Sequence, residues 1–283
     1  AEPPMDPPLP MPHQRTTPLF FYDEYIRLEN VKVTDFEIVP HLPWVGKPLP
    51  PGSVVAEGYL RRQLELQRDG LTGHAEELYE DIGASDWLTG AKRGGQFAWE
   101  RGPYYARGLL SLAYALDDSK LKEKARRWVD AILGSQRSNG DFGPKEDNWW
   151  ANMLALQIVR DWYAATMDRR VLPFLRRYFD YQLKRLPECP LANDSPWAVA
   201  RAGDEIEVVM WLHDLQPSDR LLSLMNLLVR QGEDWTAYYG SGKEDGLQGS
   251  DGYPSHIVNF MQGLKLPALK FRLYGRPEDA SSY

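Results

Sequence analysis

Four short stretches of the sequence carry charged or imidazole side chains, and in three of them these side chains lie close to aromatic residues in sequence. They are residues 99–105, 147–150, 203–207 and 251–256. Carboxylates can move protons or hold hydroxyl groups, and flat aromatic rings stack on the C–H faces of sugars. Each stretch comes just ahead of, or opens, an apolar run. We therefore expect all four at neighbouring helix starts, converging on one pocket.

Three carboxylates in these stretches are candidate catalytic groups: Glu100, Asp147 and Glu207. Glu207 lies in a run followed by apolar residues, where an unpartnered carboxylate costs several kcal/mol, so either a function or a buried basic partner is expected. For Glu100 a local ion pair or a helix-dipole contact is an equal alternative. Asp147 is explained equally well as a helix cap.

Other residues of the four stretches, and one just beyond the last, are candidate ligand contacts. They are Trp99, Arg101, Trp149, Trp150, Asp204, Tyr253, His256 and Asn259. Each has a structural alternative: a Trp can fill gaps between helices, Asp204 can cap a helix, and a lone His is often only hydrogen-bonded. Their joint position at helix starts is what favours a binding role.

The sequence predicts no metal ion or cofactor bound by this chain. It has no His-x-x-x-His pair and one cysteine, Cys189, in a Pro-rich loop. Its glycine pairs lack the strand and helix that flank a nucleotide loop. A Ser-His-Asp arrangement stays open, although no nucleophile elbow is present.

Charge and composition restrict the class of partner. A net charge of −7 and an isoelectric point near 5.4 argue against a nucleic-acid partner. No run reaches the roughly 18–20 apolar residues that a membrane span needs, so no membrane partner is predicted. The chain opens on Ala1 rather than Met, and we expect a soluble protein that is secreted or periplasmic.

A helical repeat positions these residues. Polar turns carrying Asp118, Asp168, Asp219 and Glu278 return about every fifty residues, each between two helical runs. The pattern predicts helix pairs at 103–116 with 119–135, 152–165 with 170–186, and 205–215 with 219–231, then a single helix at 256–273. The first helix of each pair is apolar and the second is striped, which indicates inner and outer layers of an all-α open solenoid or closed ring.

Two regions are predicted. Residues 1–52 form an extended, Pro-rich lead with one short strand within 31–39, packed on the helical body. Residues 53–283 form that body, whose fourth helix pair is incomplete. The long loops 136–149, 187–204 and 232–255 should emerge on one face and build the site.

Six segments carry a resemblance to a known family. They are LPPGSVV at 49–55, GYLRRQL at 58–64, DGLTGH at 69–74, WERGPY at 99–104, SQRSNGDFGP at 135–144 and HIVN at 256–259. Residues 49–276, about four fifths of the chain, resemble the N-terminal part of the β-L-arabinofuranosidase-like glycoside hydrolases. The resemblance implies an (α/α)6 barrel, here incomplete, that β-sandwich modules follow.

The chemistry that this resemblance implies is retaining hydrolysis of a terminal furanoside. In that family a zinc-bound cysteine thiolate attacks and a glutamate is the acid/base, in a segment that would lie beyond Tyr283. Zinc would then belong to the complete enzyme, and the remaining C-terminal part of the protein is an expected partner. Cys189 lies in a different loop and does not match the nucleophile. His256 and residues 205–207 match sugar contacts, whereas Gly203 stands where some relatives have His.

The expected function is therefore an exo-acting glycoside hydrolase for terminal furanosides, such as β-L-arabinofuranosides of plant or algal glycans. This chain would supply the substrate-binding wall. One alternative is a two-carboxylate glycosidase or uronyl hydrolase, with its carboxyl groups roughly 6.5–9.5 Å apart if it inverts. Another is a glycan-binding module without catalysis.

Overall fold

The computed structural model describes residues 48–90, 95–240 and 256–281. Within these ranges the chain is all-α and no strand forms. The strand predicted within 31–39, and all but the last few residues of the Pro-rich lead, lie outside the described residues. The predicted all-α class is confirmed for the part of the chain that the structure describes.

The helices follow in a simple order. Four come first: α1 (Gly58–Asp69), α2 (Leu71–Leu78), α3 (Glu80–Gly83) and α4 (Asp86–Thr89). Three hairpins follow: α5 (Arg101–Ala115) with α6 (Ser119–Gly134), α7 (Trp149–Thr166) with α8 (Val171–Arg185), and α11 (Ala202–Leu215) with α12 (Asp219–Gln231). Between the second and third hairpins lie α9 (Leu191–Asp194) and α10 (Pro196–Ala200). The last four are α13 (Trp235–Gly240), α14 (Ile257–Gly263), α15 (Lys265–Tyr274) and α16 (Pro277–Ala280).

The acidic residues of the first two turns cap or brace the hairpins. The Asp118 carboxylate accepts the backbone N–H groups of Lys120 and Leu121 at 2.9 and 3.0 Å, which satisfies two donors at the start of α6. In the second turn, Met167 adopts a left-handed conformation that ends α7. The Asp168 carboxylate then accepts the indole N–H of Trp162 at 3.0 Å. These local contacts explain why the turns recur.

The hairpins form two layers. The first helices contact one another in the order α5, α7 and α11, and α15 packs on α11. The second helices lie behind them, each packed on its own partner, and α8 also contacts α12. Helix α7 buries most of its residues, whereas α6 buries a single stripe formed by Leu121, Ala125, Trp128, Val129 and Ile132. The predicted division into apolar inner and striped outer helices is confirmed here.

The prediction of one continuous helix over 256–273 is wrong. The chain forms α14 and α15 instead, divided at Leu264. Pro267 has no N–H to donate to the carbonyl of Gly263, so the helical ladder is interrupted there. Two further differences concern the predicted loops and the last turn. Residues 187–204 contain α9, α10 and the start of α11, and the fourth turn leads into the short α16.

Substitutions at two glycines, one at the division between α14 and α15 and one within α5, test the packing at this division. A Cβ added at Gly263 would lie 2.4 Å from Cδ2 of Trp235, whereas one added at Gly108 within α5 meets nothing within 4 Å. We expect Gly263→Ala to lower the free energy of unfolding by about 1–3 kcal/mol through overpacking. The control Gly108→Ala should raise it by about 0.5–1 kcal/mol because alanine favours helix. Chemical denaturation measures both, and equal effects of the two changes would contradict the packing described.

Candidate functional site

A set of polar contacts, in two groups centred on Arg201 and on Glu207, joins the inner helices along their partly exposed stripe. We call it the inner-layer network; it comprises Glu100, Tyr104, Arg107, Trp150, Gln157, Arg160, Asp161, Arg201, Asp204, Glu207, Asn259, Gln262 and Lys265. On α5 and α11 the stripe follows helical spacing, with Tyr104 and Arg107 on one and Asp204 and Glu207 on the other. Residues far apart in sequence are therefore brought side by side.

Arg201, just ahead of α11, is the centre of one half of the network. Its side chain is 3% exposed, and its Nε donates to Oδ1 of Asn259 at 2.7 Å. The guanidinium carbon lies 4.5 Å from the ring centroid of Trp150, a cation–π distance. The Nη1 atom is 3.5 Å from Oε2 of Glu100, and the same oxygen accepts the indole N–H of Trp150 at 2.6 Å. Arg201 thus holds Glu100 in place.

Tyr104 links this centre to a solvent-accessible cleft. Its hydroxyl accepts from Nη1 of Arg201 at 3.4 Å and from Nε2 of Gln262 at 3.2 Å. Partial burial raises the pKa of Tyr104, so the phenol is neutral at physiological pH. Tyr104, Trp99 and Glu100 line a cleft of about 300 Å³. The size is at the lower end of the usual range for small-molecule sites.

The other half of the network surrounds Glu207. Its carboxylate accepts from Nη1 of Arg160 at 2.6 Å and from Nζ of Lys265 at 3.4 Å, and Lys265 also bonds to Asp204. Burial, the largest single contribution, raises the pKa of Glu207, but Arg160 and Lys265 together lower it further, and the net direction is down. Glu207 is consequently ionised at neutral pH. It suits a hydrogen-bond acceptor, base or nucleophile better than a proton donor.

The network is close to neutral in charge. Its basic side chains are Arg107, Arg160, Arg201 and Lys265, and each lies within 3.5 Å of a carboxylate. The carboxylates are Glu100, Asp161, Asp204 and Glu207. Donors and acceptors therefore alternate along the stripe without an excess of either sign.

Asp147 and Trp149 lie outside this network. Asp147 has a positive φ of 50°, and its carboxylate accepts from the hydroxyl of Tyr181 at 2.5 Å and from Nε and Nη2 of Arg185 at 3.0 Å, both on outer helix α8. The indole N–H of Trp149 donates to the carbonyl of Cys189 at 3.1 Å. The expectation that Asp147 lies with Glu100 and Glu207 is wrong, because the left-handed backbone directs its carboxylate to the outer layer.

Two capping alternatives are also wrong. The N-cap position of α7 is Asn148 rather than Asp147, and Asp204 lies inside α11 rather than ahead of it. The local ion pair between Glu100 and Arg101 is likewise not what the structure shows, because Arg101 pairs with Asp81, twenty residues away in sequence. Its Nη1 donates to Asp81 at 2.8 Å, and its guanidinium carbon lies 4.8 Å from the ring centroid of Tyr79.

Accessibility separates the remaining candidates. Trp149 and Trp150 are fully buried, and Asn259 and Asp204 are nearly so, which leaves these side chains to support neighbours rather than touch a ligand. Trp99 is 41% exposed. His256 is exposed at the N-cap of α14, with its ring 6.4 Å from that of Trp197. Tyr253 lies outside the described residues.

Several network members escaped the sequence analysis, notably Arg160, Arg201, Gln262 and Lys265. One signal was available for Arg160. It follows an eleven-residue run, 149–159, that contains no charged residue and lies within α7. For Arg201 no local pattern exists, because its partners lie on α5, α7 and α14.

Behind the network, one carboxyl is sealed in the protein interior. Glu205 is fully buried, and its Oε2 accepts from Nε2 of Gln182 at 2.9 Å. Burial raises the pKa of Glu205 to about 8, so this side chain is uncharged at neutral pH. Glu205 matches the family motif in sequence, but its position between the layers makes it a packing group rather than a ligand contact.

No group of three or more His, Cys, Asp or Glu in the described residues could hold a metal ion. Cys189 does not supply such a site: burial, with the nearby Asp147 carboxylate, raises the pKa of its thiol and disfavours the thiolate that zinc needs. In the described part of the chain no helix combines the length and apolar character needed to cross a membrane. Comparisons with protein-family models, characterised proteins and solved structures find no match.

The Glu205 carboxyl generates a stability prediction. Its pKa is about 8 in the folded protein against an ordinary 4.5, so between these pH values the unfolded state releases a proton that the folded state keeps. Stability should therefore fall as pH rises from about 4.5 to about 8. Glu205→Gln, which is uncharged and of similar shape, should remove this contribution.

The measurement is chemical denaturation of both proteins across pH 4.5–9. The wild type should lose a few kcal/mol relative to Glu205→Gln over this interval, and the difference should level off above pH 8. Parallel pH profiles would show that Glu205 is not an isolated buried acid.

Proposed function

We propose that this chain forms the substrate-binding wall of a glycoside hydrolase built on an (α/α)6 barrel, of which the three hairpins are part. The observation that carries the proposal is the inner-layer network. It combines partly exposed carboxylates, guanidinium groups and an ammonium group with the accessible ring of Tyr104, and Trp99 lines the same cleft as Tyr104. Such combinations are suited to sugars, whose hydroxyls both donate and accept and whose C–H faces stack on rings.

A neutral sugar fits the charge balance better than a uronate. Each cation of the network already lies beside a carboxylate. A substrate carboxylate would compete with Glu207 or Asp204 for Lys265 and gain little net Coulomb energy. A hydroxyl group can insert into the same pairs without adding charge.

For the kind of sugar the proposal relies on the family resemblance. It points to an exo-acting enzyme for terminal furanosides, such as β-L-arabinofuranosides of plant or algal glycans, in a secreted or periplasmic protein. The donor set of the described residues does not fit zinc, so the nucleophile and the acid/base would come from the remaining C-terminal part of the protein. In this scheme Glu100 and Glu207 orient the sugar.

Two features favour a second candidate, a two-carboxylate glycosidase of the same fold. Glu100 and Glu207 each lie beside a basic side chain on the partly exposed stripe of the inner helices, and the lowered pKa of Glu207 suits a base or nucleophile. Glu100 would then be the proton donor. A module that binds glycans without catalysis is the third candidate, and experiments must distinguish it from the two enzymes.

Binding is tested with methyl β-L-arabinofuranoside and methyl β-D-glucuronide by titration calorimetry or ligand-observed NMR. We expect the neutral furanoside to bind more tightly than the glucuronide. Glu207→Gln should weaken binding of the furanoside at least tenfold, because it removes a charged hydrogen bond. The matched control is Glu123→Gln, an exposed glutamate paired with Arg126 on outer helix α6, which should not change the affinity. Binding of neither glycoside, or equal effects of the two variants, would contradict the proposed wall.

Hydrolysis of an aryl β-L-arabinofuranoside separates the candidates. Turnover by this chain that is lost in both Glu100→Gln and Glu207→Gln would identify the two-carboxylate enzyme. We expect this chain alone to bind the arabinofuranoside without hydrolysing it. Hydrolysis should appear when the C-terminal part of the protein is added.

A further inference from the structure

A second concave site lies at the opposite end of inner helix α7. A groove of about 500 Å³ is lined by Tyr163, Met167, Arg169, Leu172, Pro173 and Arg176, with Gln216 at its edge. Tyr163 comes thirteen residues after Trp150 in α7, which corresponds to roughly 20 Å along the helix. This turn groove is therefore remote from the Arg201 half of the inner-layer network, whereas Tyr163 lies three residues after Arg160 of the Glu207 half.

The floor of the turn groove is apolar. Met167 is 64% exposed, in the left-handed conformation that ends α7. Leu172 and Pro173 come from the first turn of α8. Tyr163 packs edge-on against Trp211, with ring centroids 5.6 Å apart, which fixes one wall.

Two arginines give the groove a positive charge in a chain whose net charge is −7. Neither Arg169 nor Arg176 forms an ion pair with a carboxylate in the described ranges. Among the described residues Arg176 hydrogen-bonds to a neutral amide, from Nε to Oε1 of Gln216 at 2.6 Å. The nearest acid in sequence, Asp168, is already bound by Arg170. Both guanidinium groups thus keep positive charge that an anion would neutralise.

We propose that the turn groove binds a small amphipathic carboxylate, an acid with an alkyl or aryl body. The apolar body would cover Leu172, Pro173 and Met167, and the carboxylate would pair with Arg169 and Arg176, because guanidinium groups match carboxylate geometry. The volume suits a small molecule rather than a protein interface, which needs an extended surface. The proposal does not depend on the glycosidase proposal, since the two sites share no residue.

The test uses octanoate, with octanol as the uncharged analogue and acetate as the analogue without an apolar body. Binding is followed through the methyl resonances of labelled methionines, and the Met167 signal is assigned with Met167→Leu. We expect octanoate to shift the Met167 signal and to bind at least tenfold more tightly than octanol or acetate. Equal affinity of octanoate and octanol, or no shift at Met167, would overturn the proposal.

Matched arginine variants show which charges act. The double variant Arg169→Gln/Arg176→Gln should weaken the binding of octanoate at least tenfold and leave the binding of octanol unchanged. The control is Arg177→Gln, since Arg177 is the next residue of α8 and bonds to Gln136 instead of the groove. An equal loss in the control would overturn the proposal, whereas unchanged binding of methyl β-L-arabinofuranoside in the double variant would show that the inner-layer network is intact.

Discussion

The structure of the candidate site depends on one buried cation. Arg201 stacks on Trp150 of α7, donates to Asn259 of α14 and lies beside Glu100 and Tyr104 at the start of α5. A guanidinium that is 3% exposed loses nearly all its hydration. It is stable in the folded protein only when its neighbours replace the lost hydration with hydrogen bonds, ion pairs or ring contacts. Loss of one partner would leave a desolvated charge. The starts of three inner helices are consequently fixed relative to one another.

A balance between burial and ion pairing also sets the charge state of Glu207 in the other half of the network. Glu207 lies between Arg160 and Lys265, and these contacts outweigh the burial that would otherwise keep it protonated. Glu205, two residues earlier on the same helix, faces the outer layer and has only an amide partner, so it holds its proton to about pH 8. Two glutamates on one helix therefore have opposite charge states because they face different layers. The charged Glu207 fits the proposed sugar-binding role, whereas the neutral Glu205 fits packing between the layers.

The layered fold was readable in the sequence because its determinants are local. Helical periodicity distinguished α7 from α6, and the turn acids Asp118 and Asp168 act through contacts within a few residues. The division of the last helix was also encoded locally, by Pro267, but the apolar pattern continues across it. An (α/α)6 closure stays a prediction, since it concerns contacts that the described hairpins do not define.

The site was less predictable because its contacts are long-range. Arg201 and Tyr104 are 97 residues apart, and no spacing rule relates them. Burial also reversed expectations that residue type suggested: Trp150 supports Arg201 with its ring, and Asp147 binds the outer helix through a left-handed backbone. Glu100 and Glu207 were singled out in the sequence, the first just ahead of a predicted helix and the second within one, where apolar residues follow it. Their basic partners needed the tertiary structure.

A double-mutant cycle between Arg201 and Asn259 measures the central interaction directly, since their side chains meet at 2.7 Å between the start of α11 and α14. The free energy of unfolding is measured for Arg201→Met, Asn259→Ala and the double variant. A cycle that pairs Arg201 with the distant cap Asp118 supplies the additive control. A coupling energy of about 1–3 kcal/mol for Arg201 and Asn259 is predicted. Additivity within about 0.5 kcal/mol would contradict a cation that holds the inner helices together.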